Sequence, residues 1–149
     1  MLVVTNYPGI SNGLVSDLTT SLVINNVAEK FGSVELVNLF SLVGGLKNQA
    51  TYETGFTKVT DQVTLLEANK ADVIVIATGS YGLNDKYGKV RQLELLKQLT
   101  SSGLEAKIQW LVNNEGKPAH PLSMRHEWKV DSKKQYNSFD TIITEIIVN

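Results

Sequence analysis

The chain has 149 residues, 42% hydrophobic and 19% charged, the size and composition of one globular domain, which excludes disordered, collagenous and coiled-coil chains. Lys plus Arg number 14 against 15 Asp plus Glu, and the net charge of −1 excludes a strongly basic nucleic-acid binder, although a local patch stays open. With no cysteine, disulfides, thiolate metal sites and thiol nucleophiles are excluded together, and no apolar run approaches the roughly eighteen residues of a membrane span. One domain over residues 1–149, a cytoplasmic location and no membrane partner are therefore expected. Nothing in the composition fixes an oligomeric state.

Four short apolar runs without alternation predict strands buried on both faces: Leu2–Thr5, Val34–Phe40, Asp72–Thr78 and Ala106–Val112. After the first run, Val15, Leu18, Leu22, Val27 and Phe31 recur at helical spacing. Ser16 is the expected N-cap, Asp17 favours the helix dipole, and Gly32 stands where the helix stops. Ser41 to Thr57 reads as a long loop. A second helix is expected over Thr60–Asn69, with Val63, Leu65 and Leu66 inward. The Val and Ile content of the third run marks it as the central strand. Gly79 to Gly88 reads as a loop, followed by a helix over Lys89–Leu99 with Val90, Leu93, Leu96 and Leu99 on one face. In Ser138–Val148, the β-branched content suggests a strand, but Phe139, Ile142, Ile143, Ile146 and Ile147 fall at helical spacing, and a helix packed on the sheet is expected.

Alternating strands and helices predict an α/β fold, a single-domain three-layer α/β/α sandwich around a four-stranded, mostly parallel sheet. Ligands of such sheets gather beyond the carboxyl ends of the strands. Those ends are Asn6-Tyr-Pro-Gly9, Asn38-Leu-Phe40, Gly79-Ser-Tyr-Gly82 and Asn113 to Leu122, all rich in Gly, Pro, Asn or His.

In this order the four segments resemble the prokaryotic and phage domain-of-unknown-function family 1643. The matching residues are Asn6-Tyr-Pro8, Asp17-Leu-Thr19, Asn38-Leu-Phe40, Thr78-Gly79 and Gly116-Lys-Pro-Ala-His-Pro-Leu122. Two positions depart from the family's pattern: Tyr7 stands between Asn6 and Pro8, and Thr78 stands where a tryptophan is expected. More weakly, the layout is similar to the uracil-DNA glycosylase superfamily. That resemblance implies a pocket for an extruded base, with Asn6 against an attacking water, Asn38 on the base edge and His120 stabilising charge on the departing base. The partner implied is a nucleotide or nucleic acid, without cofactor or metal.

Each residue also has a plainer reading. Asn6-Tyr-Pro-Gly is turn-forming by composition, and an amide is a poor base. Asn38 could tie down the loop that follows it rather than meet a ligand. Asp17 either caps the first helix or serves as the general base that Asn6 cannot be. His120, stiffened between Pro118 and Pro121, suits a hydrogen-bond donor or a buried imidazole satisfied by a carbonyl. Gly79 and Ser80 could offer backbone amides to phosphate, but fit neither phosphate-loop pattern nor a serine nucleophile elbow. Tyr81 or Tyr87 could stack on a base or simply anchor the loop. Pro8, Gly9, Phe40, Pro121 and Arg125 complete the expected lining. Arg125 belongs to a mild cluster of cations between Lys117 and Lys134. His120, His126, Glu127 and Asp131 match no standard metal spacing.

Overall fold

Leu2, Val3 and Val4 are all fully buried, which a strand achieves only when both faces of its sheet are covered. The computed structural model, which describes residues 1–9, 17–28, 30–43, 48–124 and 128–131, supplies that cover. Strands β1 (Leu2–Thr5), β2 (Glu35–Asn38), β3 (Ile74–Ile76) and β4 (Ile108–Val112) run parallel in the order β2-β1-β3-β4. A fifth strand, β5 (Lys129–Asp131), lies antiparallel along β4. The helices are α1 (Leu18–Val27), α2 (Gln49–Thr54), α3 (Lys58–Lys70), α4 (Gly79–Asn84) and α5 (Lys86–Ser101).

Alternate residues of each strand feed two cores. Leu2, Val4, Ile74, Ile76, Ile108 and Trp110 pack with Ala68 of α3 and Leu93, Leu95, Leu96 and Leu99 of α5. Val3, Val75 and Leu111 pack on the other face with Val23 and Val27 of α1, Met124 and Trp128. Each fully buried Val, Leu or Ile stabilises the fold by about 1.5–3 kcal/mol. The unbroken apolar runs follow from this double cover.

Several sequence expectations are corrected. The helix cap is Asp17, whose Oδ1 accepts from the Thr20 amide at 3.1 Å, rather than Ser16. The presumed loop before residue 58 contains α2, capped by Asn48, and the Gly79–Gly88 stretch is α4 running into the first turn of α5. Three strands, β2, β3 and β4, are shorter than their apolar runs: Leu39 and Phe40 are buried beyond the end of β2, and Ala106 sits in a 3-10 turn, Glu105–Lys107. On α3, Val63 (48% exposed) and Leu66 (56%) face outward, while Thr64 and Ala68 are buried and Leu65 packs in part. Val90 on α5 is likewise 42% exposed. The cause is one polar network. Arg91, 1% exposed, is buried beside the leucines of α5, donates from Nε to the Leu39 carbonyl at 2.8 Å and pairs with Asp61 of α3. Gln98 donates to the other Asp61 oxygen at 2.9 Å, and the Arg91 guanidinium lies 3.9 Å over the Phe56 ring. Rotating both helices to satisfy this network carries Val63, Leu66 and Val90 out.

The helix expected over Ser138–Val148 lies outside the described residues. Among the described residues, no helix is long and apolar enough to cross a membrane.

Candidate functional site

The strand order reverses direction between β1 and β3, because one crossover leads from β1 to β2 on one side and the next leads past β1 to β3 on the other. The carboxyl ends of strands flanking such a reversal leave a crevice. Asn6 follows β1 and Thr78-Gly79 follow β3, so both stand at it. Asn6 Nδ2 donates to the Thr78 carbonyl at 3.0 Å, which fixes the amide's orientation, since a carbonyl only accepts. Its Oδ1 is buried and has no donor among the described residues. A buried carbonyl oxygen without a donor costs about 1–3 kcal/mol.

His120 stands on the far side of Gly79. The chain returns from β4 through a turn in which Asn113 Oδ1 accepts from the Glu115 and Lys117 amides, and Ala119 then donates to Leu111 at 2.8 Å. This sets His120 against Gly79, whose φ of +61° and bare Cα are both required: a Cβ there would lie 3.0 Å from His120 Cβ and 3.1 Å from its backbone nitrogen. His120 Nδ1 accepts from the Leu122 amide at 3.1 Å, so the neutral ring carries its proton on Nε2. Burial pulls its pKa below the usual histidine value, which favours that neutral form. Gly79, Ser80, Pro118, Ala119, His120, Leu122 and Ser123 surround a cavity of about 420 Å³ without a charged side chain. That volume falls in the usual range for small-molecule sites. Pro121 is buried and starts the 3-10 turn Pro121–Ser123. Gly79 and Ser80 form the first turn of α4 rather than a loop.

The remaining expected residues gather at the β1–β2 side. Asn38 Oδ1 accepts from Thr5 Oγ1 at 2.6 Å, tying the two strand ends together. Asp17 packs directly on Gly9, where a Cβ would fall 2.5 Å from its Cγ. Burial raises the Asp17 pKa, but hydrogen bonds from the Thr20 hydroxyl (2.6 Å) and amide outweigh it and hold the carboxyl below its usual value. Asp17, Gly9, Pro8 and Asn38 share a small cavity of about 140 Å³ that His120 does not line. Pro8, Asn38 and Phe40 also line a larger, mainly apolar groove of about 390 Å³ against α3. The row of ends therefore reads Asn38–Thr5, Asn6–Thr78, Gly79–His120. Asn6 is bonded to Thr78, and the next residue, Gly79, packs against His120, whereas Asp17 is engaged as a helix cap elsewhere.

Two features of the site were not legible as such. Tyr7 stacks on Phe40 (4.9 Å between centroids, 11° between planes) and its hydroxyl bonds that of Tyr81 on α4. Thr78, in the place of the expected tryptophan, bonds buried Gln92, which also donates to the Gly82 carbonyl at 3.2 Å. Arg125 lies outside the described residues, as do His126 and Glu127. Among the described residues no three His, Asp or Glu side chains cluster as metal ligands do.

No curated protein and no solved structure matches the chain. A family model described as "Protein of unknown function (DUF1643)" matches residues 1–122, from the first strand through the His-Pro turn, and the chain belongs to that family.

Proposed function

We propose that this protein binds a nucleobase, alone or within a nucleotide or nucleic-acid strand, at the carboxyl edge of its sheet. The observation that carries the reading is the Asn6 carbonyl oxygen, buried at the crevice between β1 and β3 without a donor. On the other side of Gly79, neutral His120 offers an Nε2 proton. An acceptor and a donor flanking a glycine suit the edge of a base, which presents both. The uncharged lining around His120 favours a neutral ring over a bare phosphate. Calorimetric titration with uracil, hypoxanthine and adenine tests this. Binding to the wild type, weakened at least tenfold by Asn6→Ala and His120→Ala with both variants folded, is expected; equal binding by all three proteins overturns it.

A second reading, hydrolysis of an N-glycosidic bond, draws on the roles that the resemblance to uracil-DNA glycosylases implies for Asn6, Asn38 and His120, all three at strand ends on one edge of the sheet. It is the weaker one. Asn6 has no proton to exchange near neutral pH, and the Asp17 carboxylate is committed to Thr20. Alkali-revealed cleavage of oligonucleotides carrying uracil, hypoxanthine or mismatched thymine decides it. Cleavage lost in His120→Ala establishes a glycosylase, and no cleavage leaves the binding role alone.

A further inference from the structure

The stacked pair of Tyr7 and Phe40 stands between the two cavities beside the first loop. Phe40 lines the larger one, Tyr7 the smaller, and Pro8 and Asn38 line both. Phe40 is fully buried, with the Tyr7 ring over one face in the near-parallel geometry that a flat aromatic ligand adopts on a phenyl ring. The Phe56 ring meets Phe40 edge-on, at 71°. Tyr7 itself is only half-buried. Beyond the stack, Tyr7 meets the ring of Tyr81, buried in the core, at 5.5 Å between centroids, and bonds its hydroxyl. That bond joins the segment carrying Asn6 to the helix that begins at Gly79, so it crosses the same crevice as the Asn6–Thr78 bond.

We infer that Tyr7 is a latch over a stacking site: its ring holds the face of Phe40 that a flat heteroaromatic ligand takes, and it swings out when the Tyr7–Tyr81 bond opens. The identity of the ligand as a base rests on the reading above; the latch itself rests on the stack, the hydroxyl pair and the two cavities. Exchange of one ring for another on Phe40 is nearly neutral in stacking, so the hydroxyl bond adds a bias toward the closed form that Tyr81→Phe removes while keeping the ring contact. One net hydrogen bond corresponds to about a fivefold bias, and apparent affinity falls in proportion to the closed fraction.

The test uses Tyr81→Phe, which keeps the core ring and removes only the latch hydroxyl. Uracil, hypoxanthine and indole are titrated into wild type and variant while the Tyr7 ring resonances, shifted by the Phe40 ring current, are followed by NMR. The expected result is that saturation moves the Tyr7 resonances toward exposed-tyrosine values and that Tyr81→Phe binds about fivefold more tightly. Tyr7 resonances unmoved at saturation, or equal affinities, overturn the latch. If bases bind through Asn6 and His120 with Tyr7 in place, the latch fails and the base reading survives. If only indole binds and displaces Tyr7, the latch survives and the base reading fails. Failure of every ring to bind either protein removes both.

Discussion

Replacing Arg91 by methionine tests the network that sets the helix rotations. The guanidinium is 1% exposed, bonds the Leu39 carbonyl, pairs with Asp61 and lies over Phe56. Its removal strands the Asp61 carboxylate and an unpaired carbonyl. Breaking a buried pair from one side costs about 3–5 kcal/mol. The Asp61 side chain is 16% exposed, so water softens the loss, and about 2–4 kcal/mol is expected. For a chain of this size each kcal/mol lowers the melting temperature by about 2–4 °C, giving a fall of about 5–15 °C. Scanning calorimetry reads it directly. The double change Arg91→Met with Asp61→Asn should fall less than the two single changes added together, because neither leaves a charge behind. Amide exchange at Leu39 and Phe40 should also quicken, since Arg91 holds the chain just after Asn38. A fall under about 2 °C, or strict additivity, refutes the assignment of helix rotation to this network.

Three further outcomes follow from local geometry. Gly79→Ala combines a positive φ with a Cβ 3.0 Å from His120; it should cost about 1–3 kcal/mol in urea unfolding and shift the His120 ring resonances. Thr57→Ala removes the capping box of α3, in which Thr57 exchanges bonds with Thr60, and should cost about 1 kcal/mol by the same assay. The His120 pKa is lowered from 6.5, so below that pH the unfolded chain takes up a proton the folded chain resists. Stability should therefore decline as pH falls from 6.5 toward the folded value and then level, and His120→Gln should remove that part of the slope in urea midpoints. Asp17 acts in a lower window: its contribution is present above 3.8 and lost as pH falls through its depressed folded value.

The sequence showed most clearly what depends on apolar continuity. β1 has its expected bounds, and β3 and β4 lie within their runs, because a strand covered on both faces announces itself without partners. The positions of α1, α3 and α5 followed from periodicity, as did Leu93, Leu96 and Leu99 on the inner face of α5, but the inner face of α3 and the exposure of Val90 did not. An arginine beside a glutamine reads as a solvent face until its partner Asp61, 30 residues away, is known. α2 has only Thr51 buried and carries no hydrophobic stripe. α4 begins Gly-Ser-Tyr-Gly, a turn by composition, and its buried Tyr81 shows that tertiary packing decides its conformation. The site was legible as a set of strand ends. Its internal wiring was not, because Asn6 meets Thr78 across 72 residues and Tyr7 meets Tyr81 across 74. The role of Asp17 turned on which of two readings its neighbours favoured, and Thr20 engages its carboxylate at the helix cap.

The most direct test of the base-binding account is an amide NMR titration of the protein with hypoxanthine and uracil. The account predicts saturable shifts concentrated at Asn6–Gly9, Thr78–Tyr81 and Ala119–Ser123, abolished in Asn6→Ala. Shifts centred elsewhere, or none at millimolar base, contradict it.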